Sequence, residues 1–208
     1  VDGEARPLCC GRTYLSTGMV DKARAEANRT IKALKPYLQK KIPILGLEPS
    51  CLFTFKDEFL SLIDDDSAPV LAESAMLVEE FLAGDGLQGF SRLKFQRTQE
   101  RVAWVHGHCH QKAFNSMDAV EQMLQRVPDL ITKMIPSGCC GMAGAFGYQS
   151  ETYDTSLGMA QLDLVPALEA VDQDDWVLAD GFSCRHQISD VTSKSPCHVV
   201  QFLARSLQ

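Results

Sequence analysis

Between Met19 and Gln39 the apolar residues Ala23, Ala27, Ile31, Leu34 and Leu38 recur every three to four positions in an otherwise charged stretch. That spacing places them on one face of an amphipathic helix. Lys40-Lys41 ends the pattern, and Ile42 to Leu47 is a short apolar run closed by Glu48-Pro49, which reads as a buried strand. Helical patterning resumes over Phe53 to Ile63, yields to an acidic loop at Asp64 to Asp66, and returns over Ser74 to Ala83 before Gly84. Residues 85–100, Gly-rich and then charged, read as a linker.

The same alternation follows the linker. Val102 to Val105 is a strand running into His106-Gly107-His108-Cys109-His110, and Ala113 to Val127 is a helix. Leu130 to Ile135 is the next strand, Tyr153 to Ala170 a helix that Pro166 should kink or break, and Trp176 to Ala179 a further strand. Strands alternating with helices predict an α/β fold with mostly parallel sheets. The expected organisation is two pseudo-repeated units, residues 1–84 and 101–208, joined by the 85–100 linker.

Composition leaves that picture intact, since 208 residues with 45% hydrophobic and 23% charged is an ordinary globular balance. A formal charge of -7, with Lys and Arg scattered along the chain, argues against nucleic acid or an anionic membrane as the main partner. The opening Val1 to Arg6 lacks the regions of a signal peptide, and no run of about 18 apolar residues offers a membrane span. A cytoplasmic location is the expectation.

The cysteines change the picture. Leu8 to Gly11 reads LCCG and Gly138 to Gly141 reads GCCG; Cys10 precedes Cys51 by 41 positions and Cys140 precedes Cys184 by 44. Pro49-Ser50-Cys51 answers Phe182-Ser183-Cys184, and such self-similarity points to a duplicated unit. Disulfides suit small secreted domains that cannot build a core, whereas this chain has ample apolar material. Clustered thiolates repel one another unless a cation holds them, so metal or cluster ligation leads over thiol redox chemistry and disulfides.

Ligands of open α/β sheets sit beyond the carboxyl ends of the strands, and Cys51, Cys109, Cys139, Cys140 and Cys184 all follow predicted strands. Cys109, Cys139, Cys140 and Cys184 should therefore converge in the second unit, and four thiolates suit either a tetrahedral zinc or a four-iron cluster. The first unit offers only Cys9, Cys10 and Cys51. Cys109 stands 30 positions before Cys139, so its counterpart would stand upstream of Val1. The chain is thus expected to be the carboxyl-terminal piece of a longer protein, with its first site incomplete.

Other residues read more plainly. His106, His108 and His110 alternate on a segment taken as extended, which would point all three away from Cys109. Hydrogen bonding or packing near the metal is their leading role, with His108 and His110 the chosen candidates and direct ligation the alternative. Cys197 lies outside the repeat and reads as a core or surface thiol; Gly141, Gly144 and Gly147 read as room beside a cluster rather than a nucleotide loop; Asp180 and Arg185 flank Cys184 and could tune its charge or form a surface ion pair.

Four strings carry a family likeness: GLEPSC at Gly46 to Cys51, HGHCHQKA at His106 to Ala113, GCCGMAGAFG at Gly138 to Gly147 and ADGFSCRHQI at Ala179 to Ile188. With them the chain resembles the CCG cysteine-rich domain family, tandem copies of which occur in heterodisulfide reductases and in the iron-sulfur portions of glycolate and lactate oxidising systems. It looks most like the carboxyl-terminal end of FAD-linked oxidoreductases acting on D-2-hydroxy acids such as lactate or 2-hydroxyglutarate. The resemblance implies an iron-sulfur electron-transfer module, with a 4Fe-4S cluster or zinc on the cysteines above and FAD confined to an upstream domain. It implies an electron acceptor protein or quinone, which could hold the protein at the membrane periphery, and no catalytic residue within this chain, so that the fragment alone is inactive. One departure stands out: the family's CxxC is absent, since Cys51 is followed by Leu52-Phe53-Thr54 and Cys184 by Arg185-His186-Gln187, so the carry-over is a four-thiolate site. A zinc-stabilised interaction module and a thiol-disulfide redox module are the competing functions.

Overall fold

The computed structural model describes residues 6–98 and 101–208, so most of the Val1 to Arg6 segment and the last two residues of the stretch read as a linker lie outside the described residues. The chain divides into two compact units, residues 1–78 and 79–208.

In the first unit, β1 (Ile44–Gly46) and β2 (Ala75–Leu77) pair in parallel, with Ile44 opposite Ala75 and Gly46 opposite Leu77. The amphipathic pattern becomes helix Val20–Leu38, which buries Ala23, Ala27, Ile31 and Leu38 against Leu52, Phe53, Phe59, Leu71 and Leu77. Helix Pro49–Lys56 starts directly after β1. Glu48 caps it by accepting from the Ser50 N–H, and Pro49 occupies the first turn, where its missing N–H leaves no bond unmade. The single helix expected over Phe53 to Ile63 is instead Pro49–Lys56 and Glu58–Leu62, interrupted at Asp57.

The helix expected over Ser74 to Ala83 is also corrected. The segment runs as helix Ser67–Ser74, strand β2 and helix Val78–Ala83. Ala75, Met76 and Leu77 are good helix formers, but pairing with β1 satisfies their backbone while Ala75 and Leu77 become fully buried, and that tertiary gain overrides a weak local preference.

In the second unit, β3 (Val102–His106), β4 (Ile131–Met134) and β5 (Trp176–Ala179) form an all-parallel sheet of order β4-β3-β5. Ala103, Val105 and Leu178 enter a core with Val120, Met123, Leu124, Val199 and Phe202. Phe90, in helix Leu87–Phe90, and Phe95 are buried in the same core, although both lie in the stretch read as a linker. Cys197 donates its N–H to the Val177 carbonyl (3.0 Å) and accepts from the Ala179 N–H (3.0 Å), so it extends the sheet as a buried core thiol.

Two more expected helices are divided. Ala113 to Val127 becomes Cys109–Ala113 and Met117–Leu124, separated by Asn115 at φ 56°. Tyr153 to Ala170 becomes Tyr153–Leu162 and Leu164–Glu169, with the break at Asp163. Pro166 falls in the first turn of the later helix, where a missing N–H is tolerated.

This topology prepares a site. The chain leaves β3 for β4 on one side, then returns across to β5 on the other, so β3 is the switch point at which connections depart in opposite directions. A crevice at the carboxyl ends of such strands is where an open α/β sheet binds its ligands.

Candidate metal centre

The two CCG segments share one backbone device. Gly11 and Gly141 both adopt left-handed φ, 80° and 94°, and each donates its N–H to the first sulfur of its pair, Gly11 to Cys9 (3.4 Å) and Gly141 to Cys139 (3.3 Å). A Cβ on Gly11 would stand 3.0 Å from the Ala23 carbonyl oxygen, and one on Gly141 only 2.2 Å from that of Ser156. Only glycine meets both demands, since it alone combines positive φ with so close a helix backbone. In each segment the second cysteine, Cys10 or Cys140, is buried and the first is half-buried.

In the second unit the sheet brings the donors together. β3 ends at His106, and His108 caps helix Cys109–Ala113: its Nδ1 accepts from the His110 N–H (3.2 Å) and its own N–H donates to Gln111 Oε1 (3.0 Å). Cys109 is therefore the first residue of a capped helix. Gln111 Nε2 donates to Asp180 Oδ2 (2.7 Å), and Asp180 Oδ1 accepts from the Val199 N–H (3.1 Å), tying the ends of β3 and β5 together. Lys112 Nζ clamps the loop beyond β4 through the carbonyls of Ser137 and Gly138 (2.8 Å to the latter). Cys184 lies buried in helix Phe182–Val191 just past β5. Gly181 gives it room, because a Cβ there would sit 2.5 Å from the His108 ring and 3.1 Å from Cys184 Sγ.

The sulfurs alternate in proton affinity along a chain of neighbours. Cys139 is held far below the usual thiol range by the thiols of Cys109 and Cys140, and Cys184 well below it by Cys140, helped by His106. Cys109 is pushed up by Cys139 beside it, and Cys140 by Cys139 and Cys184. Two sulfurs thus tend to thiolate while their neighbours hold protons. Full deprotonation of all four in this largely buried volume requires a cation, the condition under which thiols become metal ligands.

The predicted donors therefore divide. Cys109, Cys139, Cys140 and Cys184 come from the ends of three adjacent strands and neighbour one another in that order, but among the described residues only Cys140 and Cys184 of these, with His106, bring three ligand atoms within 4.8 Å of one another. In the first unit Cys10 faces Cys51, whose thiol lowers it to about 7 while Cys51 itself is raised. Cys51 is exposed, and among the described residues Cys9, Cys10 and Cys51 do not bring three ligand atoms within 4.8 Å of one another.

The alternating histidines are rearranged, because the strand has ended before Cys109. His108 and His110 stack at 5.1 Å around the helix start, whereas His106 stays on the strand and offers a ligand atom within 4.8 Å of both Cys140 and Cys184 Sγ. Gly107, a strand breaker, was the available signal separating His106 from the other two. Asp180 and Arg185 form no surface ion pair: Asp180 is 2% exposed, and Arg185 donates to the carbonyls of Ala179 (2.8 Å) and Asp180 (2.6 Å).

A second polar cluster has no signal in the sequence. Glu79, Asp180 and His198 are all buried, with His198 Nδ1 at 3.2 Å from Asp180 Oδ1 and 3.9 Å from Glu79 Oε1. Among the described residues neither Glu79 oxygen has a hydrogen-bond partner, and burial followed by the Asp180 charge pushes its carboxyl up to about 9.

Residues 103–189 match the model of the cysteine-rich domain family, CCG. Over 206 residues the chain is 26% identical to a subunit of the anaerobic glycerol-3-phosphate dehydrogenase of Escherichia coli K12, covering 98% of this chain and 50% of that protein. It is 25% identical over 194 residues to D-2-hydroxyglutarate dehydrogenase of Pantoea ananatis (93% of this chain, 18% of the relative). It is 23% identical over 192 residues to lactate utilization protein A of Macrococcus caseolyticus (88% and 73%). The likeness drawn from the four strings, to the cysteine-rich family and to hydroxy-acid dehydrogenases, is thus matched. The chain spans half the length of the first of these relatives and under a fifth of the second. No solved structure matches. Among the described residues no helix is long and apolar enough to cross a membrane.

Proposed function

We propose that this chain, whose residues 103–189 match the CCG cysteine-rich domain family, is the electron-relay module of a dehydrogenase and holds an iron-sulfur cluster of the 4Fe-4S type on Cys109, Cys139, Cys140 and Cys184. The observation that supports the reading is the chain of neighbouring sulfurs with alternating proton affinity at the carboxyl edge of β4-β3-β5, tightest at Cys140 and Cys184. When bound, such a cluster accepts and passes on single electrons.

The chain's own residues do the rest. Lys112 holds the paired-cysteine loop, and the Gln111–Asp180 bond holds the helix bearing Cys109 against β5. Cys140, Cys184 and Met142 are at most 3% exposed, so water is kept from one side of the sulfurs, a condition that tunes a cluster's potential. In the whole protein, FAD bound elsewhere would supply the oxidation of a small hydroxylated substrate such as a D-2-hydroxy acid, and this module would hold the group that relays electrons to an acceptor protein or quinone. Cys9, Cys10 and Cys51 are proposed as a second, related centre completed by a ligand from outside the chain.

Zinc is the second reading, favoured by the compactness of the His106, Cys140 and Cys184 donors. Ligand atoms within 4.8 Å of one another approach the separation of roughly 3.8 Å that a single tetrahedral zinc imposes on its sulfurs. Anaerobic purification of the whole protein with iron, sulfide and zinc analysis separates the two. Brown protein with stoichiometric iron and sulfide is expected, colourless protein with one zinc supports the alternative, and protein with neither overturns both.

A further inference from the structure

We propose that His106 is itself a metal ligand, through Nε2, so that the centre in the second unit is a mixed nitrogen–sulfur site. The inference rests on the reading of that unit as a metal centre and adds a donor to it.

His106 is 1% exposed at the end of the central strand, where register with Ala179 of β5 locks its backbone. Its two ring nitrogens have different fates. Nδ1 lies 2.8 Å from the Ser137 hydroxyl, whereas Nε2 is buried and, among the described residues, has no hydrogen-bond partner of good geometry, although the ring is near enough to the Cys184 thiol to help lower it. A buried ring nitrogen left unpaired costs about 1–3 kcal/mol, so an orphan of this kind calls for an explanation. The ring supplies one: it lies within 4.8 Å of the sulfurs of Cys140 and Cys184, both buried. With Ser137 accepting the Nδ1 proton, the lone pair would reside on Nε2, the ring nitrogen left for the nearby thiols. That is the arrangement metal-binding histidines adopt, one nitrogen on the metal and the other fixed by a hydrogen bond.

His108 and His110 do not compete for this role. His108 Nδ1 is engaged in capping the helix, and its ring stacks on that of His110. Replacing a thiolate by a neutral imidazole also removes one negative charge from the first coordination sphere, which raises the potential of a cluster relative to an all-thiolate one. Where Cys109, Cys139, Cys140 and Cys184 all bind, His106 is a fifth donor; where one thiol remains protonated, it takes that place.

The test uses the full chain reconstituted anaerobically with iron and sulfide and labelled with 15N-histidine. Pulsed paramagnetic resonance is expected to show a directly bonded nitrogen, lost in H106A. H106C, which restores a donor if H106A folds poorly, is expected to keep the iron, lose the nitrogen coupling and shift the midpoint potential downward. S137A is expected to keep the nitrogen but weaken metal retention about 10-fold or more. If the chain binds zinc alone, X-ray absorption should count one nitrogen among the sulfurs in the native chain and none in H106C. A loaded metal without bonded nitrogen, or H106C matching the native spectrum, overturns the role of His106 while sparing the metal centre. A chain that loads neither metal overturns the centre and the ligand together.

Discussion

Replacing Glu79 by Gln should remove a pH-dependent weakness from the second unit. Glu79 is fully buried in the first turn of helix Val78–Ala83, its oxygens have no hydrogen-bond partner among the described residues, and burial together with the Asp180 charge raises its carboxyl from 4.5 to about 9. Below pH 4.5 the folded and unfolded carboxyls are both protonated, and no penalty arises. Between 4.5 and 9 the unfolded chain releases this proton while the folded chain keeps it, so folding loses about 1.4 kcal/mol per pH unit. The loss is on the order of 3 kcal/mol by pH 7 and 6 by pH 9, where it levels off; a typical domain has only about 5–15 kcal/mol in total. E79Q carries no such proton, so its advantage over the native chain should be near zero at pH 4.5 and grow steadily to pH 9. Both tryptophans of the chain, Trp104 and Trp176, lie in the second unit, so urea unfolding followed by tryptophan fluorescence reads that unit alone. D180N provides a graded control: it removes the repulsion and leaves burial, so the loss should keep the same slope but level off at a lower pH and a smaller total. Parallel stability curves for E79Q and the native chain from pH 5 to 9 would refute the reasoning.

Four further outcomes are expected. G141A should destabilise the second unit by about 2 kcal/mol or more, through positive φ and the 2.2 Å approach to Ser156, and G11A should cost the first unit less; thermal unfolding measures both. C184S should lose bound metal while C197S keeps it, because Cys197 is buried away from the thiol group, and metal analysis of the two purified proteins decides the matter. In metal-free protein the Cys10 thiol should titrate near 7 in the native chain and closer to 9 in C51A, read from the pH profile of alkylation, since Cys51 is the main cause of its depression. Loading the second unit with metal should raise its unfolding temperature, and a chelator should reverse the rise, because ligation stabilises only the folded arrangement.

The paired cysteines were legible because the CCG turn is a local device: its glycine and sulfurs stand side by side in the chain. The placing of Cys109, Cys139, Cys140 and Cys184 beyond strand ends on one edge of the sheet was also legible, since each follows a strand and parallel strands expose their ends together. Strand β2 was not, because Ala75, Met76 and Leu77 carry helical preference and only β1 makes them a strand. His106 was read with its neighbours because alternation presumes an extended segment, and the segment turns at Gly107. Glu79, Asp180 and His198 are separated by 101 and 18 positions, so no periodicity could bring them together.

The order β4-β3-β5 has a mechanical consequence. The thiol donors lie beyond three separate strands, with Cys109 and Cys139 apart by 30 residues and Cys140 and Cys184 by 44, so a bound metal closes long loops and acts as a clasp across one edge of the sheet. Fraying at that edge would require metal–sulfur bonds to break, while the opposite edge stays free to breathe. Amide hydrogen exchange at Val105, Met134 and Leu178 should therefore slow far more on loading than exchange at Val102 or Ile131.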